Sequence, residues 1–152
     1  MRVWRICRRR YAASGWAGEG ARLYGGRWNS PGARAVYTST SLALAAIEVF
    51  VHLEPNLRPD DLVSIAADLP GDLPTTRIDP SALPSSWASR RDESLRRFGD
   101  HWLHAAKTAA LVVPSAAIRG EWNVLLNPAH AGFRKIELCR PKPFEFDLRM
   151  FR

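Results

Sequence analysis

The part of the chain that decides the fold runs from residue 41 to residue 51 and reads Ser41-Leu42-Ala43-Leu44-Ala45-Ala46-Ile47-Glu48-Val49-Phe50-Val51. Thr40 or Ser41 is a good N-cap, and we predict a helix that continues to about Leu53. The segment is apolar almost all round, which is typical of a buried helix. Glu48 is its only charged residue. A carboxylate is costly to bury there unless it is paired or has a chemical task.

A glycine-containing turn and an aromatic residue come shortly before this helix. In the turn from Gly25 to Asn29, two glycines permit a tight backbone and close approach of a ligand to Arg27. The guanidinium group of that arginine can bind a phosphate through two hydrogen bonds. Tyr37 lies in a short strand predicted over residues 35–38 and could stack on a planar ring. Together with Glu48, these residues predict an active site for an anionic, ring-containing ligand.

Each of these residues also has a structural interpretation. Arg27 fits an ordinary surface turn, with Trp28 anchoring the turn in the core and Asn29 capping it. Tyr37 fits a core tyrosine, because aromatic residues favour strands. Glu48 fits a buried pair with an arginine, or a helix that exposes this one position. The residues alone leave these alternatives open beside the active-site interpretation.

Short polar side chains stand next to two later apolar strands. Ser115 comes after a strand predicted at residues 110–113, and Asn123 precedes the apolar run at residues 124–126. Ser115 lacks the sequence context of a hydrolase nucleophile. These side chains could hydrogen-bond a ligand amide or ribose, or they could close turns.

The remaining pattern predicts an α+β fold in a single domain. Residues 92–107 have the spacing of an amphipathic helix, and residues 143–151 alternate between apolar and polar side chains as a strand does. The predicted apolar side of that helix consists of Leu95, Phe98, Trp102 and Leu103. Residues 12–24 and 70–84 are rich in glycine or proline and are predicted as loops. Further short strands are predicted at residues 2–7, 62–69, 110–113 and 124–126.

Composition argues against several classes of protein. The hydrophobic fraction of 46% is ordinary for a globular chain and disfavours disorder. The longest apolar stretch, residues 42–53, is too short to cross a bilayer, and no signal peptide is indicated. Cys7 and Cys139 fit free thiols in a cytoplasmic protein. His101 and His104 have no evident third ligand, so no metal site is predicted.

The net charge of +7 is concentrated in the N-terminal part of the chain. Residues 1–34 contain eight arginines and one acid, whereas residues 35–152 contain equal numbers of basic and acidic residues. This excess is compatible with a solvated basic surface, with a site for a phosphate ligand or an acidic partner protein, or with nucleic-acid binding. No helix-turn-helix, zinc-finger or RNA-binding signature supports the last alternative.

Taken in order, these segments resemble the RES-domain toxins of bacterial toxin–antitoxin pairs, and the resemblance covers nearly the whole chain. The segment Gly26-Arg27-Trp28-Asn29 is similar to the first motif of that family and carries its arginine. The segment Val36-Tyr37-Thr38 and residues 43–48 are similar to the second motif, which carries the tyrosine and the glutamate. The segment Val113-Pro114-Ser115, followed by Asn123, is similar to the third motif, which carries the serine.

The resemblance implies an ADP-ribosyltransferase-like fold, with a mixed β-sheet core and flanking helices, for a RES domain over residues 1–152. It implies NAD as the substrate, no metal, and growth arrest through cleavage of the nicotinamide–ribose bond by hydrolysis or phosphorolysis. The implied catalytic residues are Arg27, Tyr37 and Glu48. The implied NAD-binding residues are Arg27, Trp28, Asn29, Tyr37, Ser115 and Asn123.

In this interpretation Arg27 binds the phosphate side of NAD or the nicotinamide ribose, Tyr37 stacks on the nicotinamide, and Glu48 stabilises positive charge as the bond breaks. Ser115 and Asn123 hold the amide or the ribose. The resemblance also implies an Xre-like helix-turn-helix antitoxin that blocks the active site, and it is compatible with a homodimer within the toxin–antitoxin complex. Neither a nucleic acid nor a membrane is expected as a direct partner.

Three other functions stay open at this point. Within the same fold, the chain could be a mono-ADP-ribosyltransferase that modifies a host protein. In different classes, it could be a basic nucleic-acid-binding module, or a non-enzymatic interaction subunit in which Arg27 and Glu48 form only a structural pair. No feature of the sequence distinguishes water, phosphate or a protein as the acceptor.

Overall fold

In the computed structural model, which describes residues 1–89 and 92–152, the chain forms one eight-stranded sheet with three α-helices. The helices are α1 (Glu19–Tyr24), α2 (Leu42–Phe50) and α3 (Glu93–Ala105). The strands are β1 (Arg2–Arg8), β2 (Val36–Ser39), β3 (Leu62–Asp68), β4 (Thr75–Arg77), β5 (Ala110–Pro114), β6 (Trp122–Leu126), β7 (Glu137–Leu138) and β8 (Lys142–Pro143). The predicted α+β class is confirmed.

The strand order places β2 in the middle of the sheet. The order is β4-β5-β6-β2-β1-β3-β7, and β8 also pairs with β3. The pair β4–β5 is parallel, and the other pairs among the described residues are antiparallel. The ladder between β1 and β3 extends from Arg2 opposite Asp68 to Arg8 opposite Leu62. Tyr37 in β2 therefore lies between strands β1 and β6.

Alternate residues of the inner strands face two separate hydrophobic clusters. In β5, Leu111 and Val113 belong to the cluster beneath α3, whereas Ala110 and Val112 belong to the cluster on the opposite face. Burial on both faces explains why the sequence of β5 is an unbroken apolar run. The buried residues that α3 contributes to its cluster are Leu95, Trp102 and Leu103.

Helix α2 has the predicted N-cap, because the Oγ of Ser41 accepts a hydrogen bond from the N–H of Leu44 at 3.1 Å. The helix ends at Phe50 rather than at Leu53, since the next turn tightens and the N–H of Leu53 bonds to the Phe50 carbonyl at 3.1 Å. The predicted all-round burial is wrong: of the helix residues, Leu44 and Ala45 alone are fully buried. The helix packs on the sheet with one side and borders a cavity with the other.

The C-terminal segment covers α2 and does not form the strand predicted over residues 143–151. After β8 the chain leaves the sheet, and the ring of Phe50 packs edge-on against Phe146 and Phe151, with ring centroids 5.8 and 5.6 Å away. Leu148, one of the apolar residues of that alternation, is 69% exposed. The apolar spacing of this segment therefore reflects packing of its phenylalanines on a helix.

Three further elements differ from the sequence prediction. Phe98 is 46% exposed, and Gly99 takes its place on the buried side of α3. The predicted loop at residues 12–24 contains α1, and the predicted loop at residues 70–84 contains the edge strand β4. None of the helices in residues 1–89 and 92–152 is long and apolar enough to cross a membrane.

Gly99 brings α3 into direct contact with the turn that carries Arg27. A Cβ atom at position 99 would lie 1.7 Å from the carbonyl oxygen of Trp28, so this approach requires glycine. The indole of Trp28 is 2% exposed and packs in the cluster beneath α3. Helix α3 therefore fixes the turn from one face of the sheet.

We expect Gly99→Ala to lower the free energy of unfolding by about 1–3 kcal/mol, because the added methyl group forces α3 or the turn to move. Urea unfolding followed by far-UV circular dichroism measures this change. Gly20→Ala in α1 is the matched control, since no heavy atom lies within 4 Å of its added Cβ, and it should keep or raise stability. Equal stability of the two variants would contradict the close contact between α3 and the turn.

Candidate active site

A cavity of about 590 Å³ opens between the glycine-containing turn, the C-terminal half of α2 and the adjoining parts of β5 and β6. Its polar and aromatic lining includes Arg5, Arg27, Tyr37, Glu48 and Asn123. A smaller cavity of about 220 Å³ shares all of these except Arg27. The predicted arginine, tyrosine and glutamate thus lie in one concave region, the usual form of a small-molecule site.

Glu48 is held through one of its two carboxylate oxygens. Oε1 accepts hydrogen bonds from Ser115 Oγ and Asn123 Nδ2, both at 2.6 Å. Within residues 1–89 and 92–152, Oε2 receives no hydrogen bond and no cation pairs with the carboxylate. The described contacts therefore differ from a buried arginine–glutamate pair. They leave Oε2 available to a ligand in the cavity.

The two donors to Glu48 are themselves fixed. Ser115 is 1% exposed, and its Oγ accepts hydrogen bonds at 3.1 Å from two backbone N–H groups of the turn that follows. Asn123 Oδ1 accepts a hydrogen bond from Ser39 Oγ at 2.7 Å, which turns the amide N–H towards Glu48. Asn123 lines both cavities, but Ser115 lines neither. The geometry of Ser115 favours positioning of Glu48 over the predicted direct contact with the ligand.

The turn that carries Arg27 begins with a glycine in the left-handed region. Gly25 has a φ of 68° after the end of α1, and the N–H of Gly26 bonds to the Asn29 carbonyl at 2.9 Å. Nη1 of Arg27 donates to the carbonyl of Trp87 at 2.7 Å. This bond helps to hold the half-buried guanidinium group at the cavity wall.

Tyr37 lines the cavity and is braced through its hydroxyl group. The hydroxyl donates to Asn29 Oδ1 at 2.7 Å and accepts from the N–H of Trp28 at 3.1 Å. A Cβ atom on Gly26 would lie 2.5 Å from this hydroxyl, so the turn can approach the ring because residue 26 is glycine. Burial raises the pKa of Tyr37, and the phenol therefore stays neutral and acts as a donor.

Asn29 is fully buried and uses its side chain inside the protein. Nδ2 donates to three backbone carbonyls of the surrounding turn at 2.9, 3.0 and 3.1 Å, and Oδ1 accepts from Tyr37. Asn29 lines neither cavity, so its geometry favours bracing of Tyr37 over the predicted direct contact with the ligand. Trp28 borders the larger cavity, although its side chain packs in the core.

The eight N-terminal arginines do not form one open basic surface. Two of them, Arg5 and Arg27, line the cavity, and Arg9 and Arg10 are exposed. The other four pair with carboxylates: Arg2 with Asp68, Arg8 with Asp61, and Arg22 and Arg34 with Glu19. This distribution favours a site for an anionic ligand over a nucleic-acid footprint.

The sequence prediction missed Arg5 and His52 as cavity residues. Arg5 shares a face of β1 with Val3 and Cys7, which pack in the cluster opposite α3. An arginine on the core-facing side of a strand is the signal that could have identified it. His52 donates from Nδ1 to the Glu48 carbonyl at 2.7 Å and lines both cavities.

Comparisons with known sequences show the family of this chain. The family model described as the RES domain matches residues 2–147. A protein named Toxin Res, from Photorhabdus laumondii, is 38% identical over 100% of this chain and 98% of its own length. A protein named Prs ADP-ribosylating toxin, from Sphingobium sp., is 34% identical over 98% of this chain and 96% of its own length.

The fold also matches a solved structure. A chain in the crystal structure of the M. tuberculosis MbcT–MbcA toxin–antitoxin complex superposes with a TM-score of 0.73, covering 95% of this chain and 84% of its own. Its sequence identity is 19%, so this likeness concerns the fold alone. Because the family model spans residues 2–147 and the sequence relatives align over nearly their full length, this chain belongs to the RES-domain family.

Proposed function

We propose that this chain is the toxin of a toxin–antitoxin pair and that it cleaves NAD at the bond between nicotinamide and ribose. The observation that carries the proposal is the geometry of Glu48, whose Oε1 accepts from two neutral donors while Oε2 receives no hydrogen bond from residues 1–89 and 92–152. Arg27 and Tyr37 line the same cavity. One site thus offers a cation for a diphosphate, a ring for stacking and a carboxylate for the sugar.

The names of the relatives support the toxin assignment. The relatives from Photorhabdus laumondii and Yersinia enterocolitica are both named Toxin Res, and they are 38% and 36% identical to this chain. Each aligns over at least 98% of its own length. A shared activity is therefore expected to reside in the portion that this chain contains.

In the proposed reaction, the bond between C1′ of the ribose and the ring nitrogen of nicotinamide breaks. Both bonding electrons leave with the ring, so nicotinamide departs as a neutral molecule and needs no strong general acid. Positive charge develops on the sugar, and the carboxylate of Glu48 stabilises it. A nucleophile then forms the new bond to C1′ and releases its proton to the solvent.

The other site residues divide into ligand contacts and supports. Arg27 binds the phosphate side of NAD, Tyr37 stacks on the nicotinamide, and Asn123 can contact the ribose while it holds Glu48. Ser115 positions the Glu48 carboxylate through its hydrogen bond to Oε1, and Asn29 positions Tyr37 by accepting a hydrogen bond from its hydroxyl group. These supports fix the catalytic geometry before the substrate binds, which lowers the cost of reaching the transition state.

Transfer of ADP-ribose to a protein is the second candidate function. It is favoured by the name of the Sphingobium relative, a Prs ADP-ribosylating toxin that is 34% identical to this chain. Both candidates share the bond that breaks and differ only in the nucleophile. NAD labelled in its adenylate half would mark a protein band in the second case and would yield only small products in the first.

An antitoxin that covers the cavity is part of the same proposal, and we expect an Xre-like helix-turn-helix protein in this role. The fold neighbour was solved as a toxin–antitoxin complex. The cavity rim includes Val51 and His52, which are exposed at the end of α2. A partner seated there would exclude NAD from Glu48. A homodimer within that complex rests on the family resemblance alone.

Glu48→Gln should lower the rate of nicotinamide release at least about a hundredfold, because it removes the negative charge that stabilises the developing cation. The fold should survive, since an amide oxygen can accept the same bonds from Ser115 and Asn123. Nicotinamide release is measured by chromatography, with and without inorganic phosphate and with a cell extract as a source of protein acceptors.

Glu54→Gln is the matched control for this experiment, because Glu54 is exposed just beyond α2 and lines neither cavity. It should retain the wild-type rate. A folded wild-type protein that consumes no NAD with any acceptor would refute the proposed reaction. Full activity of Glu48→Gln would refute the role of the carboxylate.

Ser115→Ala should lower kcat about tenfold to a hundredfold and leave KM for NAD nearly unchanged, because the serine orients Glu48 without touching the substrate. Steady-state kinetics separates the two parameters. Ser81→Ala, at an exposed position in a turn outside both cavities, is the control. A rise in KM with an unchanged kcat would instead assign Ser115 to direct ligand binding.

Tyr37→Phe should remove part of the loss of stability at alkaline pH. Burial raises the pKa of Tyr37 above its ordinary value of about 10. The unfolded chain therefore loses this proton first, so stability is complete below about pH 10 and falls as the pH rises further. Urea unfolding between about pH 7 and 11 tests this, with Tyr24→Phe at an 80% exposed position as the control. Identical pH profiles for all three proteins would contradict it.

A further inference from the structure

A second guanidinium group lies at the cavity, that of Arg5 on β1. Arg5 lines both the larger and the smaller cavity, as do Glu48 and Tyr37. Its Nη1 donates to the Tyr37 carbonyl at 3.0 Å, but its Nε is buried and finds no hydrogen-bond partner in the described part of the chain. No carboxylate among residues 1–89 and 92–152 forms an ion pair with it.

Such a cation is costly to keep on the core-facing side of a strand. Burial lowers the pKa of Arg5, as expected when a guanidinium group loses water without gaining a carboxylate. On the same strand, Arg2 and Arg8 are compensated by Asp68 and Asp61. The side-chain neighbour of Arg5 is instead the Cys7 thiol, whose pKa is raised by burial and which therefore stays neutral, so the open space beside Arg5 is where an anion could supply negative charge.

The guanidinium group of Arg5 is fixed before any ligand binds. Gly15 lies against it, and a Cβ atom at that position would be 3.2 Å from Nε and 3.5 Å from Nη2. The Tyr37 carbonyl holds Nη1 on the other side. A planar donor that is already oriented loses little entropy when it binds, and the N–H groups of Nη2, with the second N–H of Nη1, can form charge-assisted hydrogen bonds to phosphate oxygens.

We propose that Arg5 binds a phosphate group in this cavity, as a second anion-binding residue beside Arg27. The inference rests on the proposed function for the identity of the ligand. Two sources can provide the group: the diphosphate of the dinucleotide in the larger cavity, or a free phosphate ion in the smaller one. Arg5 borders both cavities, so it could bind a phosphate group from either source through the same hydrogen bonds.

Isothermal titration calorimetry with ADP-ribose, inorganic phosphate and nicotinamide tests the inference without relying on catalysis. Arg5→Gln should weaken the binding of a phosphate-containing ligand at least about tenfold, because it removes charge-assisted hydrogen bonds. Nicotinamide contains no phosphate, and its affinity should not change. Arg5→Lys keeps the charge without the fork and should give an intermediate affinity.

Arg9→Gln is the matched control, because it removes one positive charge from an exposed residue directly after β1. It should change each affinity by less than about twofold, which excludes a general effect of net charge. Far-UV circular dichroism and thermal unfolding establish that each variant is folded. If Arg5→Gln does not fold, Arg5→Lys carries the test through its loss of phosphate affinity relative to nicotinamide.

Weaker binding of ADP-ribose by Arg5→Gln supports the proposal and identifies the diphosphate, whereas weaker binding of inorganic phosphate alone supports it and identifies the free ion. Unchanged affinity for both would overturn it, and so would an equal loss for nicotinamide, which would mean that Arg5 acts only by holding Tyr37. If the wild-type protein binds these ligands in an Arg5-dependent way but releases no nicotinamide from NAD, the proposed NAD cleavage is refuted and the inference about Arg5 is retained.

Discussion

The hydrogen bonds to one oxygen of the Glu48 carboxylate tie the site to the fold, because their donors come from distant parts of the chain. The donors to Glu48 are Ser115 and Asn123, which lie 67 and 75 residues further along the chain. Helix α2, the residue after β5 and the beginning of β6 must therefore meet before the carboxylate is satisfied. Each of these hydrogen bonds favours conformations in which the three elements meet, and one that misplaces any of them loses a donor to the carboxylate.

The strand order explains how distant residues reach one cavity. Arg5, Tyr37 and Asn123 come from the three adjacent strands β1, β2 and β6. Backbone pairing sets the distances between these strands, so the side chains are placed by the most rigid part of the molecule. The turn with Arg27 is not part of the sheet. It is held by α3, which contacts it closely because residue 99 is glycine. A ligand therefore meets a site that is already assembled and needs little reorganisation.

Local signals in the sequence were enough to find residues that meet at the cavity, but contacts between distant segments decided their roles. A charge in an apolar helix and a glycine-containing turn can be recognised within a few residues, so Glu48 and Arg27 were identified. Whether Asn29 and Ser115 touch a ligand or support a neighbour depends on hydrogen bonds between segments, which no local pattern encodes. The alternation over residues 143–151 is compatible with a strand and equally with a segment that packs on a helix. Contacts with Phe50 of α2 determine that this segment packs on the helix.

The phenylalanines that cover α2 make the site depend on a segment that follows it by about a hundred residues in the chain. Residues 144–151 leave the ribosome after β1 to β6 and Glu48 have emerged. Until then Phe50 lacks the rings of Phe146 and Phe151, and an apolar side of α2 faces water. The packing of the helix that carries Glu48 is thus completed only after residues 144–151 have emerged. A chain that has emerged only as far as residue 143 therefore lacks the cover of this helix, and we expect its Glu48 carboxylate to be held less firmly.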